Sequence, residues 1–168
     1  MSENFENGAE TVLVVEDDRA QREFLQMFLT DRGYKVRVAE SPISALEVVS
    51  QSPDVDFAFI DINYAGSTIN GFDLAAQFSQ RGFHFPFVIM SMDDDIVNHQ
   101  KSENVGALAF VEKTYDSMME SIQYVASFLK TKDKNPRIPH RIFNRNGRNE
   151  GWRNLISSDA VCGTHTVA

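Results

Sequence analysis

The chain of 168 residues has one cysteine, Cys162, so no internal disulfide can form and a reducing compartment suits it. It lacks any apolar run approaching the ~18 residues that a membrane span requires. Its opening residues, MSENFENGAE, are polar and acidic rather than charged and then apolar. A soluble, cytoplasmic protein with no membrane partner is expected. Basic charge is scarce over residues 1–130, with 9 Lys and Arg against 21 Asp and Glu. That balance argues against nucleic-acid binding through the general surface, and no direct DNA binding is expected. Residues 131–168 reverse it, with 7 basic against 3 acidic residues, so the C-terminal stretch is a separate electrostatic object.

An apolar fraction of 42%, including 13 Phe, is enough for a proper core, and the length suits one domain with a short appendage. Five short apolar runs punctuate residues 11–130: TVLVV, KVRVA, VDFAFI, FPFVIM and ALAFV. Their length and their β-branched and aromatic content predict strands. The third and fourth are apolar nearly throughout, as in strands buried on both faces of a parallel sheet. The second alternates Lys35 and Arg37 with Val36 and Val38, which places it nearer an edge.

Amphipathic helical patterns separate the runs. Phe24, Leu25, Phe28 and Leu29 recur at helical spacing, and Gly33 stands where a C-terminal cap is expected. Ser41 and Pro42 form an N-cap and first-turn start signal. GFDLAAQFSQRG and DSMMESIQYVASFL behave similarly, whereas DDDIVNHQKSENVG has a thin apolar face. Strand–helix order repeated five times predicts an α/β doubly wound parallel sheet with helices on both faces. The domain plan is a polar lead over 1–10, a domain over 11–130, and a basic extension over 131–168, either disordered or docking. In that extension Phe143, Trp152, Leu155 and Ile156 are unusual for a purely solvating tail.

Ligands in open parallel α/β sheets bind at the carboxyl ends of the strands. The first strand ends in Glu16 and Asp17, the third in Asp61, the fourth in Ser91, and the fifth leads to Lys113. Carboxylates at ~5 Å repel by roughly 3 kcal/mol per pair at an effective dielectric of about 20. Such a cluster raises its pKa values or binds a cation, and hard oxygen ligands with room for water suit Mg2+. A carboxylate nucleophile, a divalent metal, a lysine and a hydroxyl together fit a phosphoryl group. Taken singly, Glu16 and Asp17 could serve only as helix N-terminal charges, and Phe110 as a core residue.

The motifs VLVVEDD, FAFIDIN, VIMS and AFVEK, in this order and spacing, resemble the receiver domain of two-component response regulators. The resemblance spans residues 11–130 and implies a flavodoxin-like (βα)5 fold. It implies that Asp61 accepts a phosphoryl group from a histidine kinase or a histidine phosphotransfer protein. It also implies that Glu16, Asp17, Asp61 and the backbone carbonyl of Asn63 hold Mg2+. Lys113 would pair with the phosphoryl group or, without it, with Asp61. Ser91 would move to hydrogen-bond the phosphoryl group, and Phe110 would swing inward with it, remodelling the face of the fourth helix, fifth strand and fifth helix. Asp18 reads instead as a helix cap.

Three departures from the family pattern stand out. Thr114 replaces the usual cis proline after the lysine, and a non-proline cis bond costs about 2.5–4 kcal/mol. A trans bond with a displaced Lys113 is therefore expected. Met92 stands where the family has a small residue, and could slow access to Asp61. The loop NYAGSTING, residues 63–71, is about two residues longer than usual, and its Gly66 and Gly71 suggest mobility.

The expected function is a stand-alone receiver, not an enzyme beyond its own phosphoryl transfer and dephosphorylation, acting on an unnamed protein target. Dimerisation on phosphorylation is one form that output could take. Two other classes stay open: a phosphorylation-independent scaffold, and a Mg2+-dependent phosphatase, against which Asn63 stands where a second Asp would be needed. The acidic run at 93–95 reads as a solvated helix start. His84, His99 and His140 have no placement that suggests catalysis, and Cys162 with His165 makes no zinc site.

Overall fold

The computed structural model of the chain describes residues 9–131. Most of the expected polar lead and of the basic extension, with His140, Cys162 and His165, lies outside the described residues. Within them the order is β1 (Thr11–Val15), α1 (Arg19–Thr30), β2 (Lys35–Ala39), α2 (Pro42–Gln51), β3 (Phe57–Asp61), α3 (Gly71–Gln80), β4 (Phe87–Ser91), α4 (Ile96–Asn104), β5 (Ala109–Glu112) and α5 (Tyr115–Thr131). The five strands form one parallel sheet in the order β2-β1-β3-β4-β5, the doubly wound arrangement expected. Two compact units divide between Ile89 and Met90.

In the first unit, β1 and β3 are buried along their whole length, which explains the apolar runs from Val12 to Val15 and from Phe57 to Ile60. Val12 to Val15 run in parallel register with Phe57 to Ile60 on one side and with Val36 to Ala39 on the other. β2 is the edge strand, and its alternating Lys35 and Arg37 suit an edge that must not recruit another chain. Asp18 caps α1 by accepting the Gln21 N–H at 2.9 Å. Ser41 caps α2 by accepting the Ser44 N–H, while Ser44 Oγ accepts the Ser41 N–H in return, with Pro42 at the start. Gly33 has φ 88°, a left-handed conformation that ends the α1 turn as the sequence predicts.

In the second unit, α4 and α5 pack on β5. α4 is short and mostly exposed, in keeping with its thin apolar face. Thr114 has acquired a structural role. Its hydroxyl accepts the Ser117 N–H at 3.2 Å and its carbonyl accepts the Met118 N–H at 3.0 Å, so it caps α5. No cis peptide bond occurs among the described residues, so Lys113–Thr114 is trans, as expected for a non-proline residue.

Candidate metal centre

β1 and β3 are neighbours in a parallel sheet, so their carboxyl ends lie side by side. One carboxylate oxygen from each of Glu16, Asp17 and Asp61 falls within 4.8 Å of the others. Glu16 is fully buried and Asp61 nearly so, with Asp17 half-buried at the rim. Neighbouring amides orient the three side chains. The Asp18 N–H donates to Glu16 Oε1 at 3.1 Å, the Ala65 N–H to Asp17 Oδ2 at 2.7 Å, and the Ile62 N–H to Asp61 Oδ1 at 2.7 Å. The chemistry of this donor set fits a hard divalent cation: all oxygen, three formal negative charges, and one ligand partly open to water. Asn63, the fourth expected contributor, follows in an exposed position of the β3–α3 loop.

Arg22 escaped the sequence reading. From the first turns of α1 its Nη1 donates to the carbonyl oxygens of Glu16, at 2.7 Å, and of Asp17, at 3.1 Å. A guanidinium pinning two successive carbonyls fixes the backbone that carries both acidic side chains. The sequence signal was faint, since an arginine on an exposed-looking helix face is ordinary.

Tyr64 was also missed. It is buried, its hydroxyl has no hydrogen-bond partner among the described residues, and burial pushes its pKa far above the usual phenol value. The charges of Asp61, Glu16 and Asp17, in that order, push it the same way. Above about pH 10 the unfolded chain ionises this phenol while the native state keeps it protonated, so stability falls as pH rises. Tyr64→Phe is expected to lose less stability between about pH 9 and 11 than the unaltered chain. At neutral pH it should be at least as stable, because the hydroxyl removed is unsatisfied. Urea denaturation across that range checks both.

Gly66 takes φ 72°, and several residues around it are hydrogen-bonded. Ala65 is tied to Asp17, Ser67 N–H donates to the Tyr64 carbonyl, and Ser67 exchanges hydrogen bonds with the Ile69 backbone. Gly71 is no hinge. It is buried as the first residue of α3, and a Cβ there would lie 2.1 Å from the Asp61 carbonyl oxygen. Glycine is required for the helix to start against the strand that carries the third carboxylate.

In the second unit, Ser91 ends β4 with 1% exposure, and its Oγ accepts the Asp93 N–H at 3.0 Å. Its carbonyl accepts the Lys113 N–H at 2.8 Å, fixing the backbone of the lysine just beyond β5. Phe110 is buried in β5. Met92 is exposed, so its bulk is directed outward rather than into the core.

The family model for the response regulator receiver domain matches residues 12–123. The chain therefore belongs to the response regulator receiver family, the signalling modules that work with histidine kinases or phosphotransfer proteins. Among curated relatives, an NtrX-like response regulator of Rickettsia felis is 25% identical over 136 residues, covering 80% of this chain and 28% of that protein. Response regulator MprA of Mycobacterium sp. (strain KMS) is 24% identical over 135 residues, 79% of this chain and 56% of MprA. The chain thus spans between about a quarter and just over half of these relatives' lengths. The receiver domain of NtrX from Brucella abortus superposes with TM-score 0.62 at 27% identity, covering 69% of this chain and 94% of that one. The Thermotoga maritima protein TrrA, solved in complex with Mg2+-BeF, shares the fold with TM-score 0.58 at 23% identity, over 69% and 98% of the two chains. Among the described residues no helix is long and apolar enough to cross a membrane.

Proposed function

We propose that this chain is a phosphorylation-controlled switch in which Asp61 is the phosphoryl acceptor and Mg2+ the required cofactor. The observation that carries the reading is the buried cluster of Glu16, Asp17 and Asp61 at the ends of β1 and β3, in a chain of the receiver family. Glu16, Asp17, Asp61 and the Asn63 carbonyl would hold the metal. When bound, Mg2+ supplies charge neutralisation at the phosphoryl oxygens.

An Asp61 carboxylate oxygen forms the new bond to phosphorus as the P–N bond to a donor imidazole breaks. The leaving imidazole takes up a proton. Arg22 holds the acidic backbone fixed during this step, and the Ala65 amide keeps Asp17 aimed. Lys113 is assigned to the phosphoryl oxygens and Ser91 to a hydrogen bond with one of them, each from the carboxyl end of its strand. Phe110 is assigned to the response that follows. Output passes to a protein partner.

The test is the intact mass of the full chain after treatment with acetyl phosphate, with and without Mg2+. One phosphoryl adduct is expected, dependent on Mg2+ and absent from Asp61→Ala. A chain that takes no adduct and shows no response to beryllofluoride is a scaffold instead, and multiple turnover on a small phosphomonoester would mark a phosphatase.

A further inference from the structure

The connection between β4 and α4 holds an arrangement that the acidic cluster does not explain. The sequence presents Asp93, Asp94 and Asp95 as one solvated run, yet the three differ. Asp95 caps α4 by accepting the Asn98 N–H at 2.8 Å, and Asp93 is exposed. Asp94 is turned inward, its side chain 11% exposed, with Oδ1 2.5 Å from Nε2 of His99, itself 16% exposed. The imidazole in turn lies against Phe110, ring centroids 4.2 Å apart at 39°.

These contacts join the two residues that the switch would use. Ser91 Oγ accepts the Asp93 N–H; Asp94 is the next residue; Asp94 holds His99; and His99 stacks on Phe110. We propose that the Asp94–His99 pair is a positioning device that couples the Ser91 hydroxyl to the rotamer of Phe110. The inference rests on the switch reading above. When Ser91 Oγ turns toward a phosphoryl oxygen, the Asp93 amide loses its acceptor and the connection must readjust. Asp94 carries the adjustment to His99, because a carboxylate with so little exposure is costly to leave without its partner. The imidazole then transmits it to the ring packed beneath it. In the free protein the same pair holds Phe110 in its buried position.

The experiment uses the full chain with beryllofluoride and Mg2+ as the probe, titrated while the aromatic resonances of Phe110 are followed by NMR. In Asp94→Ala, beryllofluoride affinity is expected to fall by about fivefold, the low end of intramolecular coupling. The Phe110 ring resonances of the free protein should move as the His99 ring current is lost. Asp94→Asn keeps an acceptor oxygen for the imidazole N–H, and its affinity should stay within about twofold of the unaltered chain. In a His99→Phe background, which stacks but cannot bond Asp94, the further change Asp94→Ala should add nothing. Unchanged affinity in Asp94→Ala, or additive losses in the double variant, overturns the inference while leaving the switch reading intact. An unaltered chain that ignores beryllofluoride overturns both.

Discussion

Gly71→Ala is expected to cost at least about 3 kcal/mol of folding stability, the upper range for overpacking a well-filled site. The added methyl would meet the Asp61 carbonyl oxygen at 2.1 Å and the Asp61 carbonyl carbon at 2.9 Å. Both are backbone atoms of a buried central strand, so no side chain can rotate away to make room. Either α3 retreats, breaking the Gly71 N–H hydrogen bond to the Ile62 carbonyl at 2.8 Å, or β3 shifts and takes the acceptor carboxylate with it. Molecules that remain folded should therefore take up little phosphoryl group. Gly66→Ala is the control. It too is strained, with φ 72°, but meets open space, so about 1 kcal/mol is expected, with labelling retained. Urea denaturation and intact mass read the two effects separately. A Gly71→Ala protein within about 1 kcal/mol of the unaltered chain would show that the close approach is not a real constraint.

Asp17→Asn is expected to reverse the sign of its effect when Mg2+ is added. Without metal, three carboxylates within 4.8 Å repel one another, by about 3 kcal/mol per pair at an effective dielectric of about 20. Asp17 is half-buried, so solvent screens part of that, and removing its charge should raise stability by a fraction of the figure. The amide oxygen of Asn can still accept the Ala65 N–H, which leaves the loop in place. With Mg2+ at about a hundred times its dissociation constant, the unaltered chain gains about 2.7 kcal/mol from binding. The variant, short of one anionic ligand, gains far less at the same concentration. Denaturation curves in chelator and in Mg2+ should therefore cross in rank order. Parallel curves, with the variant equally metal-responsive, would remove Asp17 from the ligand set.

The sheet was readable because its physics is local. Val12 to Val15 of β1 and Phe57 to Ile60 of β3 are apolar since both faces are covered, whereas β2, at the sheet edge, is largely half-buried or exposed, Val38 included. The acidic cluster was readable for a related reason: charges that end apolar strands have few places to go except a shared edge. What escaped was set by geometry between elements. Arg22 looks like any polar helix residue until α1 lies over the carbonyls of Glu16 and Asp17. Asp94 and His99 look solvated until α4 packs on β5. Gly71 suggested mobility, but its reason is the strand behind it, which no local pattern displays. Thr114 was legible, because a threonine ahead of an amphipathic run is an N-cap signal.

The hydrogen bond from the Ala65 amide to Asp17 joins residues 48 positions apart in sequence. It has a consequence for the newly made chain. Closing a loop of that length carries an entropic cost that only the pairing of β1 with β3 offsets. While the ribosome is still adding β3, the β1 acids have neither Asp61 nor the amide that aims one of them. On the proposed reading, a polypeptide caught at that stage cannot yet accept a phosphoryl group, and competence would arrive with the long-range closure of the fold rather than with the synthesis of any one residue.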